Sequence, residues 1–228
     1  MRARRFDYYG RPCRQPYIID SAEEGPATHV CCMSRSEWDE SRVRALQVSR
    51  RAPPTDRALA LQRLQRETNG ANGWDRPVLT HGDLSDRNIL VDPDTLAITG
   101  FIDWETEDFL PAYFDYVAAR LSSGHQPEWR VELLDVLRLV LRRECEGDAE
   151  CAVGYGHVGS EVEAGEMYKR TTAAWDAVVD VERCAQGLSD DCYWTFEPGL
   201  SRASAQWGEQ AAGHGGDPEG SLANALGP

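Results

Sequence analysis

A short stretch in the middle of the chain gathers His81-Gly82-Asp83, then Asn88, then Asp103 within Gly100-Phe101-Ile102-Asp103-Trp104-Glu105. These groups suit phosphoryl transfer. A carboxylate beside an acceptor hydroxyl can orient it and take its proton, while a second carboxylate and an amide oxygen hold the Mg²⁺ that bridges nucleotide phosphates. Magnesium is a hard cation that prefers oxygen ligands, which Asn88 and Asp103 supply. A hydrolase triad that includes His81 and Asp83 is the competing reading. The sequence contains no Gly-x-Ser-x-Gly to support it.

These residues can act together only if local structure converges on them. Pro77 to Thr80 has strand character and leads into the motif. Ile89-Leu90-Val91, the turn Asp92-Pro93-Asp94-Thr95 and Ile98 to Ile102 read as a hairpin-like unit. Closing that unit brings Asn88 and the end of the second strand, at Asp103, near each other in space. Upstream, Ser34 with Glu37 three residues later forms a capping-box signal for a helix, which Arg51-Ala52-Pro53-Pro54 breaks. Thr55 starts a second helix carrying Leu59, Leu61 and Leu64, with an end signal at Asn69-Gly70. Downstream, the pattern predicts a helix from Pro111 to Leu121. Another runs from Pro127 to Cys145, with Trp129, Leu133, Val136, Leu137, Val140 and Leu141 on one face. A third begins at Ser160, with Glu163 completing its cap, and continues to about Gln186. The fold class expected is α+β, mainly helical, with a short β-hairpin unit carrying the catalytic loop. Residues 1–33 read as an irregular segment with short strands, 34–205 as the main body, and 206–228 as a disordered Gly/Ala-rich tail.

The chain has 228 residues, 27% of them charged, a net charge of −14 and 41% hydrophobic residues. This composition supports one soluble domain with a substantial core. Its apolar runs, such as Val136 to Leu141, are interrupted by Arg138 and fall far short of the roughly 20 residues a membrane span needs. The acidic balance disfavours nucleic acid and anionic membranes as partners. Glu105, Glu107 and Asp108 are read as a solvated acidic face, with contact to a polycationic substrate as the alternative. Seven cysteines, an odd set without Cys-x-x-Cys pairs, read as reduced thiols. The N-terminus has basic residues but no apolar run after them, so the expected location is cytoplasmic. Gly154-Tyr155-Gly156-His157-Val158-Gly159 matches a phosphate-loop spacing, yet its neighbours are helical rather than a βαβ unit, and it reads as an interhelical loop. Trp129, Trp175, Trp194 and Phe196 read as core.

Val78-Leu79-Thr80-His81-Gly82-Asp83-Leu84-Ser85-Asp86-Arg87-Asn88-Ile89-Leu90-Val91-Asp92, followed by Ile98 to Glu105 and Pro111 to Tyr116, resembles the aminoglycoside phosphotransferase/choline kinase group of the protein-kinase-like fold, its fungal members especially. Asp191-Cys192-Tyr193-Trp194-Thr195-Phe196-Glu197-Pro198-Gly199-Leu200 is similar to a carboxy-terminal segment of the same proteins. The resemblance covers roughly residues 25–200 and is strongest from Val78 to Ala119. It implies that Asp83 is the catalytic base, that His81 is a structural residue of the catalytic loop, and that Asn88 and Asp103 bind Mg²⁺ and with it the nucleotide. Pro111, Phe114 and Asp115 match a segment that orients the following helix and are assigned no chemistry.

A complete kinase of this type also has a small β lobe with a nucleotide-covering loop and a strand lysine. Residues 1–80 contain no lysine, and the single lysine, Lys169, follows Asp103. The chain is therefore expected to represent the C-lobe alone, with the N-terminal β lobe missing. The implied function is transfer of a γ-phosphate from ATP or GTP to a hydroxyl of a small molecule, with activity of the truncated form alone left open. The alternative is a non-catalytic, kinase-like module that binds a metabolite, or a protein partner over the surface the N-lobe would cover.

Overall fold

The computed structural model describes residues 4, 6–21, 25–49, 53–67, 76–153, 161–188 and 192. Asn69-Gly70, the 154–159 loop, Ser160, Trp194, Phe196 and the 206–228 tail lie outside the described residues. In chain order the elements are β1 (Tyr17–Ser21), β2 (Gly25–His29), α1 (Arg35–Val48), α2 (Thr55–Glu67), β3 (Pro77–Thr80), β4 (Ile89–Val91), β5 (Ile98–Phe101), β6 (Asp108–Pro111), α3 (Phe114–Leu121), α4 (Pro127–Val153) and α5 (Glu161–Ala185). The fold is α+β. The strands form three antiparallel pairs, β1 with β2, β3 with β6 and β4 with β5.

Helix α1 starts where its cap lies: the Ser34 hydroxyl accepts from the Glu37 amide at 3.2 Å. The Glu37 carboxylate reaches back to the Met33 amide at 2.6 Å, one residue beyond the position a capping box uses. Trp38 of α1 is fully buried and stacks near Tyr9 and Tyr17, and its indole donates to the Tyr113 hydroxyl at 2.9 Å. The segment ahead of α1 thus packs into the same core as the helices. That core gathers Leu133, Leu134, Leu137, Leu141 and Cys145 of α4 against Met167, Trp175, Val178 and Val179 of α5 and Tyr116 and Val117 of α3. Each such side chain, fully buried, contributes roughly 1.5–3 kcal/mol. Leu134 takes the place expected for Val136, which is 54% exposed because it falls outside the stripe formed by 133, 137 and 141. Trp175 is buried as expected, and Trp129 packs against the edge of the core. A smaller cluster of Leu46, Leu61, Val181 and Cys184 joins α1, α2 and α5.

Two expectations are corrected. Helix α3 begins at Phe114 rather than Pro111, because Asp108–Pro111 forms strand β6 against β3. Pro77 faces Pro111 in that ladder, so the two residues unable to donate sit opposite each other at its end. Asp108 is consequently not on a solvated face: it is 1% exposed, and its Oδ1 has no hydrogen-bond partner. Burial lifts its pKa from 3.8 to about 7, against the opposing effects of a backbone hydrogen bond from Ile18 and the charge of Arg11. Between these values the folded chain keeps a proton that the unfolded chain has released. Stability from this group is therefore present at low pH and falls as pH rises through the window, by at most about 1.4 kcal/mol per pH unit. Asp108→Asn is expected to flatten that slope when urea unfolding is compared at pH 5 and pH 8, and an unchanged slope would refute the assignment.

Among the described residues no helix is long and apolar enough to cross a membrane. Among the described residues, Cys13, Cys31, Cys32, Cys145, Cys184 and Cys192 form no disulfide.

Candidate active site

The motif is built from the outlet of β3, a short 3-10 turn at Asp86–Asn88, and the β4–β5 hairpin. The hairpin turn is set by Asp92, whose carboxylate accepts from the amides of Asp94 and Thr95 and from the Thr95 hydroxyl, at 2.8–3.0 Å. At its open end the Asn88 carbonyl accepts from the Ile102 amide at 3.0 Å, which joins the 81–88 loop to the residue before Asp103.

His81 is fully buried and bonded on both ring nitrogens. Nε2 lies 2.9 Å from the Ile102 carbonyl and must donate, since a carbonyl only accepts. Nδ1 then accepts from the Asp83 amide at 3.4 Å. The imidazole therefore links the start of the loop to the end of β5, with the Trp104 ring 4.6 Å away. Asp115, in the first turn of α3, accepts from the amides of His81 and Gly82 at 3.1 and 3.3 Å. Sequence reasoning gave Asp115 no part in the site, yet it holds the backbone from which Asp83 projects.

Gly82 occupies a left-handed conformation, φ +81°, and a Cβ there would lie 2.9 Å from both the carbonyl oxygen and Oγ1 of Thr106. That Oγ1 donates to the His81 carbonyl at 2.8 Å. Gly82→Ala is expected to destabilise the chain by roughly 1–3 kcal/mol, through backbone strain and displacement of Thr106. A urea-unfolding midpoint equal to that of the native chain would contradict this.

Asp83 is 38% exposed on its side chain. Its Oδ2 accepts from Asn88 Nδ2 at 3.1 Å, and its Oδ1 lies 3.1 Å from His125 Nε2. Asn88 Nδ2 also donates to the Asp83 carbonyl at 3.1 Å, which leaves Asn88 Oδ1 without a hydrogen bond among the described residues. Asp103 is exposed and in the left-handed region, φ 62° and ψ 58°, with no cap or other hydrogen bond to its carboxylate among the described residues. A non-glycine residue held there stores on the order of 1 kcal/mol, and such strain concentrates at functional sites.

No group of three or more His, Cys, Asp or Glu side chains able to hold a metal occurs among the described residues. The available donors at the motif are instead two unengaged oxygen groups, the Asn88 amide and the Asp103 carboxylate. This set fits Mg²⁺, which is commonly bound by one or two carboxylates together with substrate phosphates and waters.

His125 was not legible as a site residue. It lies in the Ser122-Ser123-Gly124-His125-Gln126 link between α3 and α4, where no periodicity or motif marks it. Trp129, expected only as core, also donates its indole N–H to the Leu84 carbonyl at 2.9 Å, so the α3–α4 link and the first turn of α4 contact the 81–88 loop at the adjacent residues Asp83 and Leu84.

The profile of the Phosphotransferase enzyme family (APH) matches residues 29–147, a span that contains every residue of this site. The chain belongs to that family. No curated protein and no solved structure matches it.

Proposed function

We propose that this chain is the C-terminal lobe of a kinase-like phosphotransferase that moves the γ-phosphate of ATP or GTP to a hydroxyl of a small molecule. The observation that carries this reading is the Asp83 carboxylate, open to solvent on one side and held by a donor on each oxygen next to an unengaged Asn88 Oδ1. Each carboxylate oxygen keeps a further lone pair, so Asp83 orients the acceptor hydroxyl and takes its proton. Asn88 and Asp103 would hold Mg²⁺, which when bound neutralises charge on the nucleotide phosphates. His81 and Asp115 fix the loop, and Gly82 permits its turn.

Calorimetric titration with Mg²⁺-ATP and Mg²⁺-GTP, followed by transfer of labelled γ-phosphate to candidate alcohols, tests the reading. Binding that requires Mg²⁺ and weakens at least about tenfold in Asp103→Asn, a loss of roughly 1.4 kcal/mol, is the expected result. A folded native chain that binds neither nucleotide would reject the catalytic reading for these 228 residues.

A second reading, a kinase-like binding module with no catalysis of its own, has its own support. The β4–β5 hairpin and the residue after it leave Leu90, Val91, Leu96, Ile98 and Ile102 between 43% and 77% exposed. Exposed apolar side chains beside the motif suit a protein partner that packs against the hairpin.

A further inference from the structure

We infer that His125 is a positioning residue for Asp83, fixing the carboxylate through Nε2 in a single tautomer. The inference rests on the reading of Asp83 as the base. The His125 side chain is 2% exposed, while the Asp83 side chain is 38% exposed, so the imidazole lies behind the carboxylate on its protein side. Nε2 is 3.1 Å from Oδ1, and Nδ1 is buried with no hydrogen-bond partner. A carboxylate offers only acceptors, so Nε2 carries the proton. A proton on Nδ1 would have no acceptor, and a buried donor left unpaired is disfavoured. The one polar contact of this ring is thus spent on Asp83.

Two donors on two different oxygens fix the plane of the carboxylate. Asn88 alone, bonded to Oδ2, leaves it free to turn about that bond. His125 is held in its turn. The Gly124 amide donates to the Ser122 hydroxyl at 3.3 Å, Arg130 donates to the Ser122 carbonyl, and the Trp129 indole anchors α4 to Leu84. A histidine that only filled space would not need its donor aimed at the half-exposed group of the motif. Misplacing a reacting group by about 1 Å costs on the order of 100-fold in rate.

Two measurements on the full chain test this. Long-range proton–nitrogen NMR on the histidine-labelled protein, which has five histidines, should show His125 as the Nε2–H tautomer with a hydrogen-bonded proton signal that is lost in Asp83→Ala. The Nδ1–H tautomer, or a signal indifferent to Asp83→Ala, would overturn the inference whether or not the chain is an enzyme.

The second measurement is release of phosphate from Mg²⁺-ATP. His125→Phe should lower kcat by about 10- to 100-fold with KM for the nucleotide unchanged, and His125→Gln, which restores a donor at similar reach, should recover most of it. An unchanged kcat in His125→Phe, or a loss that His125→Gln does not recover, would refute the positioning role. Absence of turnover in the native chain would instead reject the reading of Asp83 as a base, and the NMR result would still decide the pairing. Should His125→Phe fail to fold, the tautomer measured in the native chain is decisive.

Discussion

Asp83→Asn is expected to lower phosphate transfer by about 10²–10⁴-fold, the usual contribution of a positioned general base. The substitution keeps the shape of the side chain and removes its capacity to take a proton. Its effect on the surroundings is also predictable. Both neighbours of the native carboxylate act as donors, Asn88 Nδ2 on Oδ2 and His125 Nε2 on Oδ1. A carboxamide has one oxygen, so it satisfies one donor and turns its own NH₂ toward the other. If the NH₂ faces His125, moving the ring proton from Nε2 to Nδ1 lets Nε2 accept but leaves that proton buried without an acceptor. If it faces Asn88, one hydrogen bond is lost, at about 1–3 kcal/mol. Calorimetry and single-turnover assays on the same preparation separate the two effects. Mg²⁺-nucleotide affinity should stay within a few fold of the native value, because Asn88 Oδ1 and the Asp103 carboxylate are untouched, while transfer is lost. A variant that transfers phosphate at the native rate would remove Asp83 from the chemistry.

The parts of this site that the sequence made legible are those carried by local patterns. The strand–turn–strand reading from Ile89 to Ile102 matches the β4–β5 hairpin, because an Asx turn at Asp92 and short apolar runs are decided within a dozen residues. Ser34 capped α1 for the same reason. Strand β6 was not legible. Four residues ending in proline resemble a helix start, and only pairing with β3, some thirty residues upstream, makes them a strand. That one misreading also hid Asp108 as a buried carboxyl and Asp115 as the acceptor beneath His81 and Gly82. His125 was invisible for a related reason. Its meaning comes from Asp83, 42 positions away, and from the way α3 and α4 turn back on the 81–88 loop. Contacts of this kind depend on tertiary packing and leave no periodic trace.

Breaking the ion pair between α1 and α5 is expected to cause the largest loss of stability. Arg42 and Glu182 are 1% and 0% exposed, and they meet through two charge-assisted hydrogen bonds of 2.7 and 2.6 Å across 140 positions of sequence. Burial works against the Arg42 charge, and Glu182 and Tyr17 more than offset it, so its pKa stands above the ordinary value. Glu182→Leu would leave the Arg42 guanidinium, whose Nη1 already lacks a partner, in the core with no counter-charge, at an expected cost of about 3–5 kcal/mol. Against a typical total of roughly 5–15 kcal/mol, that is a large share of the stability of a domain this size. The pair itself need not be net stabilising, because both charges were taken out of water to form it. Adding Arg42→Met to Glu182→Leu should therefore restore most of the loss, and a double-mutant cycle by urea unfolding measures the difference. A single Glu182→Leu variant within about 1 kcal/mol of the native chain would contradict the burial assigned to this pair. The consequence reaches the site, since α1 also holds Trp38, whose indole binds Tyr113 at the entrance to α3, the helix from which Asp115 supports the loop carrying Asp83.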